Sequence, residues 1–174
     1  MKNQCRKLCV GIGGESIRFL NLRIAGKIVS GAKVKDRYIA VDTDAATLMC
    51  AWAPTRLQLG GPKTLGLGTG GNIEAGRTAA EESREILWEL FRKEAEATNE
   101  MRLFTGLRGG TALGATPLIC ALAKSTGFHT TMFVVIDDGE LTETEKSVLA
   151  EWRPLVDKLY LRRHNDYAAL IAVS

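Results

Sequence analysis

The 174 residues include 45% hydrophobic and 25% charged side chains. These proportions exclude wholesale disorder and predict one domain over 1–174, with a core that needs no disulfide or metal staple. The formal net charge is +3, and Arg162, Arg163 and His164 form the only compact basic run, too little to argue for a nucleic-acid or membrane partner, so none is expected.

No apolar run approaches the roughly 20 residues of a membrane span, and the N-terminus lacks a signal-peptide stretch. Cys5, Cys9, Cys50 and Cys120 have no Cys-x-x-Cys spacing and read as buried free thiols in a reducing cytoplasm. A cytoplasmic protein is expected.

Along the chain, "KLCVGI" (7–12) and "YIAVDT" (38–43) are expected strands, followed by a shorter one at "TRLQL" (55–59). A helix is expected over 72–98, capped by Asn72, where Ile73, Ala79, Ala80, Ile86, Leu87, Leu90 and Phe91 recur at helical spacing. Then come a strand "MRLFTG" (101–106), a largely buried helix 111–126, a strand "TTMFVVI" (130–136), a helix over about 141–152 and a strand "DKLYLR" (157–162). The five longer strands look buried on both faces. The alternation predicts an α/β fold, a Rossmann-like doubly wound, mostly parallel sheet with helices on both faces.

The 18 glycines exceed the roughly 7% expected of an average chain, and they cluster. "GIGGES" (11–16) follows the first strand, "GLGTGGN" (66–72) precedes the long helix, and "GLRGGTALG" (106–114) follows the strand at 101–106. In a parallel sheet these turns emerge on one edge, where ligands bind. Glycine there lets backbone approach a ligand, and the following helix aims unpaired N–H groups at an anion. Any one loop is equally well a tight turn; three together suggest a phosphate cradle. No Gly-Lys-Ser/Thr is present, so this is not a P-loop.

Gly11, Gly13 and Asp42 partly match a dinucleotide-binding pattern, in which Asp42 or Asp44 would hold a ribose; a turn or cap aspartate is the alternative. His129 and His164 read as surface histidines, and no catalytic triad, carboxylate pair or metal-ligand spacing is recognisable. Glu81, Glu82, Glu85 and Glu89 form a solvated face with Arg84, Arg92 and Lys93.

Four blocks, "VGIGGESIRFLN" (10–21), "VDTDAATL" (41–48), "LQLGGPKTLGLGTGGNIEAGRTAAEES" (57–83) and "FTGLRGGTALGATPLICALAK" (104–124), resemble in order the nucleotide-binding half of the tubulin/FtsZ family, FtsZ more than tubulin. The resemblance implies GTP or GDP as ligand, with Mg²⁺ only alongside the nucleotide. It places Gly11, Gly13 and Gly14 in a first phosphate loop, Asp44 and Ala45 in a second, and Gly70, Gly71 and Asn72 in a third that meets the γ-phosphate. Gly109, Gly110 and Thr111 match the glycine-rich signature facing the diphosphate, and Asn165 in "HND" (164–166) matches a sugar and base contact.

Several residues depart from the family pattern. Ser16 and Ile17 replace glycines, so the first loop is expected to change shape, because a positive φ there costs a residue with a side chain of order 1 kcal/mol. Arg18 replaces an asparagine, and Arg108, Ala112 and Leu113 alter the signature. Arg108 has three readings: it pairs with phosphate, it fills the phosphate's space, or it points to solvent.

The family's central helix and second domain, with the acidic loop that completes catalysis on a neighbour's nucleotide, are not contained in these 174 residues. Little or no GTPase activity is therefore expected of this polypeptide alone. Implied partners are guanine nucleotide and a homo-oligomer or FtsZ-like partner chain, as in cell-division or membrane-remodelling filaments. Leu170, Ile171 and Val173 would offer a dimer surface. The rival readings are a degenerate scaffold that docks on such a filament without nucleotide, and a dinucleotide-dependent oxidoreductase.

Overall fold

The structure is a computed structural model and describes residues 7–29, 36–62 and 64–163, without the side chains of 27–29. Cys5, His164, Asn165, Leu170, Ile171 and Val173 lie outside the described residues. The elements are β1 (Leu8–Ile12), α1 (Gly14–Val29), β2 (Arg37–Asp42), α2 (Ala45–Met49), β3 (Thr55–Gln58), α3 (Ile73–Glu82) and α4 (Arg84–Ala95). They continue with β4 (Glu100–Gly106), α5 (Gly110–Ser125), β5 (His129–Ile136), α6 (Glu143–Trp152) and β6 (Lys158–Arg163). The strands form one sheet in the order β3-β2-β1-β4-β5-β6, each neighbouring pair parallel. This is the doubly wound α/β architecture expected, and its order reverses between β1 and β4.

Side-chain alternation along β1 divides the core. Leu8, Val10 and Ile12 face one cluster with Leu87, Phe91 and Ile119, while Cys9 faces another with Ile17, Leu20, Ile24 and Leu48. α1 and α2 thus cover one face, and α3, α4 and α5 the other. The apolar residues of α1 repeat at helical spacing, but Phe19, also buried, and the glycines at its start blur that period in the sequence.

Three expectations change. The stretch 72–98 is two helices: Ser83 breaks it, because its buried hydroxyl accepts the Gly60 N–H at 2.9 Å instead of facing along a continuous helix. The break resets the phase, so Ile86 stands exposed at 52%; Ile73, at the start of α3, is also exposed, at 41%. β6 is an edge strand with mostly exposed or half-exposed residues, not one buried on both faces. Cys9 and Cys120 are buried free thiols, pushed up by burial to about 11 and about 12, whereas Cys50 is exposed.

No helix among the described residues is long and apolar enough to cross a membrane.

Candidate functional site

The loops after β1, β2 and β4 and the glycine loop before α3 meet at the carboxyl ends of the strands, at the point where the strand order reverses. They enclose an open cavity of about 240 Å³. Its walls are Gly13, Gly14 and Glu15 from the first loop, Asp42 to Asp44 from the second, Gly68 to Gly71 from the third, and Gly106 with Arg108 to Ala112 from the fourth. A second opening of about 580 Å³, lined among others by Arg18, Asn21 and Cys50, shares Gly14, Glu15, Asp44 and Thr47 with it.

Two helices begin in this wall. Gly13 turns the chain with φ 81° so that α1 starts at Gly14, and Gly109, at φ 86°, is the residue immediately before α5. The first-turn N–H groups of α1 and α5 have no intrahelical acceptor and carry the positive ends of the helix dipoles. Nothing lies within 4 Å of the Cβ positions of Gly70, Gly71 and Gly109. Their backbone therefore meets open space that a ligand can enter.

The floor is tied together by hydroxyls. Thr43 Oγ1 lies 2.6 Å from Thr111 Oγ1, joining the β2 loop to the first turn of α5. Asp42 is buried, and its Oδ1 accepts the N–H groups of Thr43 at 2.7 Å and Asp44 at 3.2 Å. Burial pushes its carboxyl above the usual range, while these N–H bonds and a hydrogen bond with Thr111 work against that. Asp42 is thus a buried turn aspartate. Asp44 caps α2, accepting from Ala46 N at 2.9 Å and Thr47 Oγ1 at 2.9 Å, while still lining the cavity.

Of the residues singled out in the sequence, Gly13, Gly14, Asp44, Gly70, Gly71, Arg108, Gly109, Gly110 and Thr111 line the cavity together. Three others do not. Gly11 packs against α1, where a Cβ would sit 2.7 Å from Leu20 Cδ1. Ala45 begins α2 and donates its N–H to Gly66 at 3.0 Å. Asn72 caps α3 through the Ala75 N–H at 3.0 Å. Asn165 lies outside the described residues.

Gly110 lines the cavity but is a glycine for another reason as well: a Cβ there would meet the Asn72 carbonyl of the chain entering α3. Ser16 and Ile17 sit within α1, where the backbone needs no positive φ; among the described non-glycine residues only Leu65 has one. Arg108 forms an ion pair with Asp137, from the loop after β5, and stays 71% exposed.

Sequence reasoning missed Glu15. Its signal was available, as an acidic residue inside a glycine run otherwise suited to an anion. His129 is an exposed residue 4.0 Å from Asp157, remote from this cavity. No cluster of three or more His, Cys, Asp or Glu fit to hold a metal occurs among the described residues.

A family model described as "Tubulin/FtsZ family, GTPase domain" matches residues 9–151. The cell division protein FtsZ of Neisseria gonorrhoeae is 32% identical over 155 residues, 87% of this chain and 37% of that protein. FtsZ of Pseudomonas putida is 38% identical over 125 residues, 72% of this chain and 29% of its own length. CetZ2 from Haloferax volcanii, solved as a GTPgS-bound protofilament, shares the fold at a TM-score of 0.79 and 16% identity, over 95% of this chain and 54% of that one. The chain thus spans well under half the length of these FtsZ relatives.

Proposed function

The chain belongs to the Tubulin/FtsZ family, and from that we propose that its glycine-lined cavity binds the phosphates of a guanine nucleotide, GTP or GDP. Mg²⁺ enters only with the nucleotide. The observation that carries this reading is the convergence of two helix N-termini and the open backbone of Gly70, Gly71 and Gly109 on one cavity. At about 240 Å³ it is smaller than typical whole-ligand pockets. It suits a phosphate chain, with the nucleoside lying beyond the rim.

In this reading hydrolysis depends on the acidic loop that the resemblance places on a neighbouring chain, and it is little or none where no such neighbour is engaged. A partner chain of the same family that carries this loop would complete the site and extend the assembly, in keeping with the cell-division proteins it resembles. The scaffold reading, in which the fold docks on a filament without nucleotide, draws on Glu15 in the cradle and on Arg108 being engaged by Asp137.

Calorimetric titration with GDP and GTP in the presence of Mg²⁺ separates the two. Heat and a thermal shift with guanine nucleotides, and neither with ATP, are expected. Neither heat nor shift at millimolar GDP or GTP would leave the scaffold reading.

A further inference from the structure

Glu15 lies in the first turn of α1, one of two helix starts that face the cavity. Its side chain reaches the end of β4: Glu15 Oε2 is 2.6 Å, and Cδ 3.7 Å, from the point where a Cβ on Gly106 would stand. The carboxylate therefore fills the side-chain space that Gly106 leaves empty, immediately before the loop that enters α5. Glu15 and Gly106 both line the cavity.

The geometry points to Glu15 as an internal anion that occupies the nucleotide cradle between the starts of α1 and α5, limits the affinity for phosphate, and must swing out or be neutralised for a nucleotide to seat. The physical reason is charge. Two helix N-termini favour one anion between them, and the chain supplies that anion itself. A phosphate entering the same space faces both a filled volume and a like charge. Glycine at 106 makes the arrangement sterically feasible, since any larger residue there would push the carboxylate away.

This inference rests on the nucleotide-binding reading, so the test must separate the two. GDP with Mg²⁺ and inorganic pyrophosphate are titrated calorimetrically into the wild type, Glu15→Gln and Glu15→Ala, with thermal melts to establish that each is folded. The alanine variant removes the side chain altogether should the amide disturb the first turn. The expected result is at least tenfold tighter binding of GDP by both variants. Pyrophosphate should gain in parallel, and the gap to wild type should narrow as salt is raised.

Binding of GDP to the wild type with equal or weaker binding to both variants overturns the role of Glu15 and leaves nucleotide binding intact. A gain that is indifferent to salt overturns the charge argument in favour of plain steric exclusion. If none of the three proteins binds either ligand, the nucleotide reading and the Glu15 role fall together.

Discussion

Arg108 and Asp42 show how much a residue's role depends on neighbours distant in the chain. Three fates for Arg108 were open from its position among glycines; the ion pair with Asp137 comes from a loop almost thirty residues on, which local sequence does not reveal. Because both partners are substantially exposed, Arg108→Ala should shift the urea-unfolding midpoint little, by less than about 1 kcal/mol. It should weaken GDP binding several-fold in calorimetry if the guanidinium faces phosphate; tighter binding would mark it as an obstruction.

Asp42 is held above its ordinary pKa by burial, so the folded state binds its proton more tightly than the unfolded chain. Its contribution is therefore greatest below the ordinary carboxylate range and declines as pH rises through the raised value. Asp42→Asn keeps an Oδ1 acceptor for Thr43 and Asp44 but does not titrate. Urea unfolding from about pH 4 to about pH 7 should show the stability difference moving steadily in favour of the variant; a pH-independent difference would contradict the burial argument.

At the scale of elements, the central strands are readable because β1, β2 and β5 are short apolar runs; parallel pairing in mid-sheet buries β1 and most of β2 on both faces, whereas in β5 Thr131 and Phe133 stay half-buried on one face. Helix continuity was not readable across Ser83, where one hydroxyl bonds a residue in the loop after β3. The α3–α5 contact was equally hidden. Gly76 and Gly114 have no room for a Cβ: the first would meet the Gly110 carbonyl, the second the Ile73 carbonyl and the backbone at Arg77. Two helices that close can cross only through glycine.

Gly76→Ala should therefore force α3 away from α5, costing about 1–3 kcal/mol in chemical denaturation. Because α3 carries the Gly70 and Gly71 loop on its N-terminal side, GDP affinity should fall as well. An unchanged affinity would mean that the loop is positioned independently of the helix. In the same helix pair Thr116 Oγ1 bonds the Ala112 carbonyl at 2.6 Å and lies 2.8 Å from Thr105 Oγ1. It anchors α5 to β4 immediately before Pro117, which has no N–H to give the helix.

For the whole molecule, a ligand seated where four loops meet should stabilise all of them together. At a hundred times its dissociation constant, GDP with Mg²⁺ should add about 2.7 kcal/mol, a rise in Tm of roughly 5–10 °C. Absence of a concentration-dependent shift in differential scanning calorimetry would contradict binding to the folded state. By itself the sequence determined the alternation of strands and helices, the family, and the three glycine loops, because period, length and glycine placement are local properties of a chain. Only the tertiary structure decided which of those glycines face the cavity and which serve packing, since Gly11 and Gly110 differ in their partners across space and not in their neighbours in sequence. It also set the Glu15 carboxylate over Gly106 and the Arg108 guanidinium against Asp137, because charges distant along the chain meet only when parallel strands deliver their loops to the same edge of the sheet.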